Sequence, residues 1–233
     1  MQIEKNLIEN ALYLVPTPIG NLEDITLRAI KVLGNVDIIA AEDTRNSSIL
    51  LKNLGIQYIK LISYHEHNEN FKTNEIIEFI KKGKSVALIS DAGMPSISDP
   101  GFKLVNVARQ EGIKVYVLPG AVAFTVALAG SGFPVHKTTF WGFPPHKKGR
   151  ETFIKNLKEN NATLIIYESS HRIIKLLKEI IAIFGVETEI CIARELTKKF
   201  EEYNIGNVVE IYDDYLKRES VKGEFVVLIN NNK

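Results

Sequence analysis

Residues 86–101 read VALISDAGMPSISDPG, and this stretch indicates both the fold and the place of the site. The small and apolar run Val86–Ser90 predicts a buried parallel strand. The loop that follows, Asp91–Gly101, contains glycine, proline, two serines and two aspartates. A loop of this composition at the carboxyl end of a strand is typical of a ligand mouth, since glycine lets the backbone approach a ligand and carboxylates accept bonds from amines or hydroxyls.

The same alternation of short apolar runs with amphipathic segments continues along the whole chain and predicts an α/β protein. The helix predicted over Ser170–Phe184 is the clearest, because its apolar residues form one stripe. The break at Leu118–Pro119–Gly120 interrupts the pattern. We therefore predict two α/β domains, residues 1–117 and 118–233.

Composition excludes several classes of protein. The 233 residues include 29 basic and 28 acidic side chains, so the net charge of +1 gives no general attraction for a polyanion. The single cysteine, Cys191, argues against a disulfide-stapled secreted protein and is interpreted as a small buried hydrophobe. Because no basic-plus-apolar leader and no run of 18 apolar residues is found, a cytoplasmic location is expected.

Two short stretches resemble known functional motifs but lack a residue or a spacing that those motifs require. Gly83–Ser85 resembles the end of a phosphate-binding P-loop, but the glycine needed five positions earlier is Glu78, so a helix stop is predicted. His65 and His67 lack the zinc-protease spacing, which requires a histidine at position 69, where Glu69 stands. No Gly-x-Gly-x-x-Gly follows a strand, so the sequence gives no support for a nicotinamide-binding fold or an ordinary Rossmann-type methyl-donor fold.

Four loops that follow predicted strands remain as the candidate site. Three are rich in glycine or proline, and we expect them to form one cleft: PTPIGNLEDITLRA (residues 16–29), the Asp91 loop and LPGAVAFTVALAGSG (residues 118–132). The fourth, AEDTRNS at residues 41–47, places Glu42, Asp43 and Arg45 together. These charges suit the orientation of a polar substrate or the tuning of a proton acceptor, but Asp43 or Thr44 could equally cap the next helix.

The second half repeats this arrangement in YESSHR, residues 167–172. Ser169 or Ser170 is interpreted as a helix cap, and Arg172 suits a phosphate, a carboxylate or a surface salt bridge. A basic segment, Lys137–Lys155, interleaves aromatic residues with Lys147, Lys148 and Arg150. Such a segment can grip single-stranded nucleic acid, although a strand followed by a solvated loop would have the same composition.

These strings, taken in order, resemble the bacterial small-subunit ribosomal RNA methyltransferases of the tetrapyrrole methylase superfamily. The matching strings run from Leu14 to Lys198, and KGEFVVLI extends the match to Ile229: LVPTPIGNLEDITLRA, AEDTR, SYHEHNE, LISDAGMPSISDPG, LPGAVAFTVAL, FWGF, YESSHR and ARELTK. No defining motif covers residues 201–221.

The resemblance implies a homodimeric enzyme that transfers a methyl group from S-adenosylmethionine to the 2′-hydroxyl of a cytidine in the decoding region of 16S ribosomal RNA, leaving S-adenosylhomocysteine. It implies a donor cleft between two α/β domains, as in class III methyltransferases, and no metal. The donor-binding residues it implies are Pro18, Ile19, Gly20, Gly93, Met94, Ile97, Gly120, Val122 and Ala123. Asp91 is added because Met94 stands where many relatives have the aspartate of Gly-Asp-Pro.

For the chemistry, the candidates for base or orienting group are Glu42, Asp43 and His65, with Arg45 as an electrostatic partner. For RNA, the candidates are Lys147, Lys148, Arg150 and Arg172. Two alternatives stay open at this point. One is a methylase of the same fold that acts on a tetrapyrrole or another small molecule, and the other is a nucleotide-binding module without catalysis.

Overall fold

The computed structural model describes residues 8–232, which form two compact units, the first ending at Val122 and the second beginning at Ala123. The domain boundary predicted after residue 117 stays a prediction. Both units have the α/β architecture that the sequence predicts. Among the described residues, no helix combines the length and the apolar character needed to cross a bilayer.

The first unit contains one parallel five-stranded sheet in the order β3-β2-β4-β1-β5. Its elements, in chain order, are β1 (Leu12–Leu14), a short 3₁₀ helix (Leu22–Asp24), α1 (Leu27–Leu33), β2 (Ile38–Ala41), α2 (Thr44–Asn53), β3 (Leu61–Ser63), α3 (Glu69–Lys81), β4 (Val86–Ile89), α4 (Phe102–Gln110) and β5 (Val115–Val117).

Helices cover both faces of this sheet. Successive strand residues alternate between two apolar clusters, so that Tyr13 packs with Leu33 from α1, whereas Leu12 packs with Leu104 from α4. The connections that leave β1 and β2 therefore run to one face, and the connection that leaves β4 runs to the other. Since β4 lies between β2 and β1, crevices open at its carboxyl end on both sides, where ligands of open α/β sheets bind.

The second unit contains a mixed five-stranded sheet in the order β6-β7-β10-β8-β9, in which β10 is antiparallel to both of its neighbours. Its elements are α5 (Ala123–Gly130), β6 (Thr138–Phe140), α6 (Arg150–Lys158), β7 (Thr163–Ser169), α7 (Ile173–Phe184), β8 (Glu189–Arg194), β9 (Glu202–Asn207), α8 (Val208–Lys217) and β10 (Glu224–Asn230). Helices α6, α7 and α8 share one apolar cluster against the sheet. Cys191 is buried in β8, as predicted.

Two local predictions for this unit are wrong. Helix α7 begins at Ile173, and its cap residue is Arg172, so neither Ser169 nor Ser170 caps it. The alternative interpretation of Lys137–Lys155 as a strand followed by a solvated loop is wrong for residues 150–155, which lie in α6, whose Ile154 and Leu157 are fully buried. These two residues stand three positions apart, which places them on one helix face.

Candidate active site

The loops that follow β1 and β4 are joined by backbone hydrogen bonds. Thr17 N–H donates to the Gly93 carbonyl at 2.9 Å, and Gly93 N–H donates back to the Thr17 carbonyl at 3.1 Å. The Thr17 hydroxyl also donates to the carbonyl of Ser90, the last residue of the predicted strand, at 3.1 Å. The predicted convergence of these two loops at one sheet edge is therefore confirmed.

Two glycines allow the backbones to come this close. Gly93 has φ +85°, and a Cβ added there would lie 3.2 Å from the Ile19 side chain and 3.4 Å from the Ala121 carbonyl. A Cβ on Gly120, in the loop after β5, would lie only 2.5 Å from Pro16 Cβ. The third predicted loop thus packs against the first, and both contacts depend on the missing side chain.

The candidate donor-binding residues of these loops differ in accessibility. Three are buried and shape the backbone, namely Pro18, Ile19 and Gly93; three are half-buried, namely Met94, Val122 and Ala123; and four are exposed, namely Gly20, Asp91, Ile97 and Gly120. Contact with a methyl donor stays a prediction for each of them.

Asp91 ties the β4 loop to the start of α2. Its Oδ1 accepts the Asp43 backbone N–H at 3.2 Å, and its Oδ2 accepts the Asn46 amide at 2.8 Å. The fourth predicted loop therefore reaches the same edge of the sheet as the other three. Because a carboxylate has about four acceptor positions, these two bonds leave Asp91 able to accept further hydrogen bonds from a ligand.

Asp43 both caps α2 and holds Arg45. Its Oδ1 accepts the Arg45 backbone N–H at 2.8 Å, and its Oδ2 lies 2.6 Å from Arg45 Nη2. Hydrogen bonds from the Arg45 side chain and backbone lower the pKa of Asp43 to about 2. The cap interpretation of Asp43 is confirmed, and so low a pKa makes this carboxylate a weak proton acceptor.

Glu42 and Asp99 lie together in a pocket of about 420 Å³ beside β2 and β4. The pocket is lined by Glu42, Glu66, Glu69, Ser98, Asp99, Pro100, Gly101, Phe102 and Lys103. Burial raises the pKa of Glu42, although the Asp91 backbone N–H bonds to its carboxylate. Burial, followed by the nearby charge of Glu42, raises the pKa of Asp99 to about 7. The charge of Glu42 thus adds to burial in keeping Asp99 protonated up to near neutral pH.

Asp99 was not among the residues predicted from the sequence. Its loop carries non-glycine residues in the left-handed region, Ser96 at φ 73° and Ser98 at φ 63°. Such backbone costs on the order of 1–3 kcal/mol per residue and concentrates at functional sites. The only sequence signal is the density of serine, aspartate and proline in SISDPG, and that signal equally indicates an ordinary turn.

His65 lies just after β3 and close enough to Glu42 for a positive charge on its ring to lower the pKa of that carboxyl. Its Nε2 faces the Asn68 side-chain amide at 3.1 Å, while its buried Nδ1 meets no hydrogen-bond partner within residues 8–232. His67 stacks edge-on at 6.0 Å between ring centres. Within the described residues, no group of histidine, cysteine, aspartate and glutamate has the arrangement of a metal site.

The four residues predicted to meet RNA separate into two kinds. Lys147 and Lys148 are exposed on the loop before α6, as an RNA contact requires. Arg150 is 2% exposed, and its guanidinium bridges Glu168 at 2.8 Å and Glu179 at 2.9 Å. The prediction for Arg150 is therefore wrong, because its guanidinium is buried and already pairs with two carboxylates inside the unit. Arg172 is partly exposed and bonds to Glu168 and His146.

Comparison with known sequences gives close relatives. A family model described as Tetrapyrrole (Corrin/Porphyrin) Methylases matches residues 11–212. The chain is 48% identical over 220 residues to the protein named ribosomal RNA small subunit methyltransferase I from Hydrogenobaculum sp. (strain Y04AAS1), covering 94% of this chain and 95% of the relative. Proteins of the same name from Thermotoga maritima and Escherichia coli O157:H7 are 44% and 43% identical. These two alignments cover 95% and 97% of this chain, and 99% and 79% of the respective relatives.

Comparison with solved structures gives the same fold at low identity. The cobalt precorrin-4 methyltransferase CbiF superposes with a TM-score of 0.69 at 17% identity and covers 94% of both chains. The methyltransferase CobJ gives a TM-score of 0.71 at 16% identity, covering 95% of this chain and 94% of its own. The uroporphyrin-III-C-methyltransferase of Thermus thermophilus gives 0.65 at 21% identity, covering 94% of both chains.

Proposed function

The chain belongs to the tetrapyrrole methylase family, and from this membership we propose that it is an S-adenosylmethionine-dependent methyltransferase of small-subunit ribosomal RNA. The observation that carries the proposal is the likeness, at 43–48% identity over nearly the whole chain, to relatives named for that activity. The acceptor we propose is the 2′-hydroxyl of a cytidine in the decoding region of 16S RNA. A homodimer in the cytoplasm is the proposed state of the enzyme.

The loops after β1, β4 and β5 fit an adenosine-bearing donor. Gly93 and Gly120 remove the side chains that would fill the space between these loops, and Ile19 supplies an apolar surface. The exposed carboxylate of Asp91 can accept ribose hydroxyls. When bound, the donor supplies a methyl group on a sulfonium centre that needs no further activation. The protein's own task is then to place the acceptor oxygen and to receive its proton.

Glu42 is the proton acceptor that we propose. Its carboxylate lies half-buried at the end of β2 with a raised pKa, whereas the pKa of Asp43 is lowered to about 2. A base works best when its pKa lies near the working pH, which favours Glu42 over Asp43. Asp99 beside it can exchange the proton, and the Asp43 carboxylate fixes Arg45 as an orienting cation. His65 remains a candidate orienting group.

The decisive test is methyl transfer from labelled donor to small ribosomal subunits prepared from a strain that lacks the activity. The label should appear on a ribose, which nuclease digestion and mass spectrometry locate. Absence of transfer to these subunits contradicts the proposal. If the protein instead methylates uroporphyrinogen, a small-molecule methylase is indicated, and if it binds the donor without any turnover, it is a non-catalytic binding module.

A further inference from the structure

A single buried carboxylate in the second unit, Glu168, holds two arginines. The Glu168 side chain in β7 is fully buried; Oε2 accepts Arg150 Nη2 at 2.8 Å, and Oε1 accepts Arg172 Nε at 2.8 Å. Buried ion pairs add little net stability, because desolvation of the charges offsets their attraction. Their better-attested use is to fix one arrangement of the groups that they join.

What Glu168 fixes is the loop of residues 142–149. Arg150 Nη1 donates to the Pro145 carbonyl at 3.4 Å, and Arg172 Nη1 lies 3.1 Å from His146 Nδ1. Both arginines that touch the loop are therefore anchored on the same carboxylate. The loop itself begins and ends with left-handed glycines, Gly142 at φ 63° and Gly149 at φ 84°. The two glycines therefore turn the backbone at both ends of the loop, and the two arginines contact its middle.

The loop presents basic and aromatic side chains to solvent. Lys147 and Lys148 are exposed, and Phe143 is 52% exposed. The centre of the Phe143 ring lies 5.4 Å from that of Tyr167, and the Tyr167 ring centre lies 4.9 Å from that of Phe140. The three rings therefore form one aromatic cluster. Cations that meet phosphates next to aromatic rings that stack on bases are the recognition pattern of single-stranded RNA.

We propose that Glu168 is a positioning residue for the RNA substrate, aiming Arg172 at one backbone phosphate and setting the 142–149 loop against the neighbouring nucleotides. Arg172 uses Nε for Glu168 and one Nη1 hydrogen for His146, so Nη2 and the second Nη1 hydrogen are left for a phosphate. The planar guanidinium needs this fixed orientation to bind two oxygens at once. The inference rests on the proposed RNA methylation, and it adds the group that orients the phosphate contact.

Four variants of the 233-residue chain test the inference with small ribosomal subunits as substrate. Arg172→Ala removes the cation, and Arg172→Lys keeps the positive charge without the planar guanidinium. Glu168→Gln keeps the side-chain shape without the negative charge that holds the two arginines. The matched control is Glu202→Gln, because Glu202 also joins two arginines of this unit, Arg194 at 3.3 Å and Arg218 at 2.6 Å. The readouts are KM for RNA, KM for donor, kcat and the salt dependence of RNA binding.

We expect Arg172→Lys and Glu168→Gln to raise KM for RNA roughly tenfold, with KM for donor and kcat within about twofold of wild type. Arg172→Ala should also reduce the slope of log affinity against log salt by about 0.7, the loss of one phosphate contact on single-stranded RNA, whereas Arg172→Lys should keep the wild-type slope. Glu202→Gln should leave both RNA readouts unchanged.

Wild-type behaviour of Arg172→Lys would overturn the positioning role, since a bare charge would then be enough. An unchanged salt slope in Arg172→Ala would overturn the phosphate contact. If Glu168→Gln does not fold, the two Arg172 variants decide the question. Failure of the wild type to methylate while it still binds RNA counts against the proposed function alone, because the salt slopes still report on Arg172.

Discussion

Replacing Asp99 with asparagine tests the charge balance of the pocket. Burial and the charge of Glu42 raise the pKa of Asp99 from 3.8 to about 7. The folded protein then binds this proton more tightly than the unfolded chain does. The contribution of Asp99 to the free energy of unfolding is therefore complete below about pH 4 and is lost as the pH rises to about 7. Asparagine resembles the neutral acid in shape and does not titrate.

The size of the effect follows from the shift. At about 1.4 kcal/mol per pH unit, a rise from 3.8 to about 7 sets a ceiling of about 4 kcal/mol. Because the pocket admits solvent, which screens the charges, we expect about 1–2 kcal/mol. Relative to wild type, Asp99→Asn should therefore gain about 1–2 kcal/mol of unfolding free energy between pH 4.5 and pH 8.5.

Urea unfolding followed by circular dichroism at these two pH values measures the gain, with Asp24→Asn as the control at an exposed aspartate of the same unit. Titrating groups that do not interact with Asp99 cancel in the difference between variant and wild type. A difference between Asp99→Asn and wild type that stays constant from pH 4.5 to pH 8.5 would refute the reasoning, and with it the view that burial and the charge of Glu42 raise the pKa of Asp99.

Three further substitutions probe the site. Gly120→Ala should weaken donor binding at least tenfold in calorimetry, because the new Cβ meets Pro16 at 2.5 Å, whereas Gly34→Ala, where the nearest contact is 3.4 Å, should bind normally. Glu42→Gln should lower kcat about 100-fold with donor affinity nearly unchanged, and equal kcat would remove Glu42 as the base. Arg45→Ala, with its carboxylate partner Asp43 intact, should lower turnover far more than donor affinity; unchanged turnover in labelled-donor assays would exclude this loop from the chemistry.

The first unit was largely predictable because its three central strands, β1, β2 and β4, are buried on both faces. Continuous apolar runs such as Val86–Ile89 show no polar alternation, and the loops after β1 and β4 contain proline or glycine. The second unit was harder. Strand β9 (Glu202–Asn207) contains no fully buried residue, and α8 follows it directly, so only Gly206 and the cap residue Asn207 mark the change of element.

The candidate site likewise has a part that the sequence could predict and a part that it could not. The four loops could be predicted to meet, because parallel strands end at one edge of a sheet. Burial could not be predicted in the same way. Arg150 and Arg172 are both arginines at the start of a helix, yet only Arg172 keeps part of its surface exposed. Glu42 and Asp99 are 57 positions apart in the chain, and their proximity exists only after β2 and β4 pair.

The sequence by itself determined the strand-and-loop order, the family resemblance and the residue types at the sheet edge, because each of these depends on local pattern. Only the tertiary structure decided which carboxyl groups have a raised pKa, which arginine is buried in ion pairs inside the second unit and which arginine stays partly exposed. Desolvation and charge pairing depend on every group within a few ångströms, and those neighbours come from distant parts of the chain.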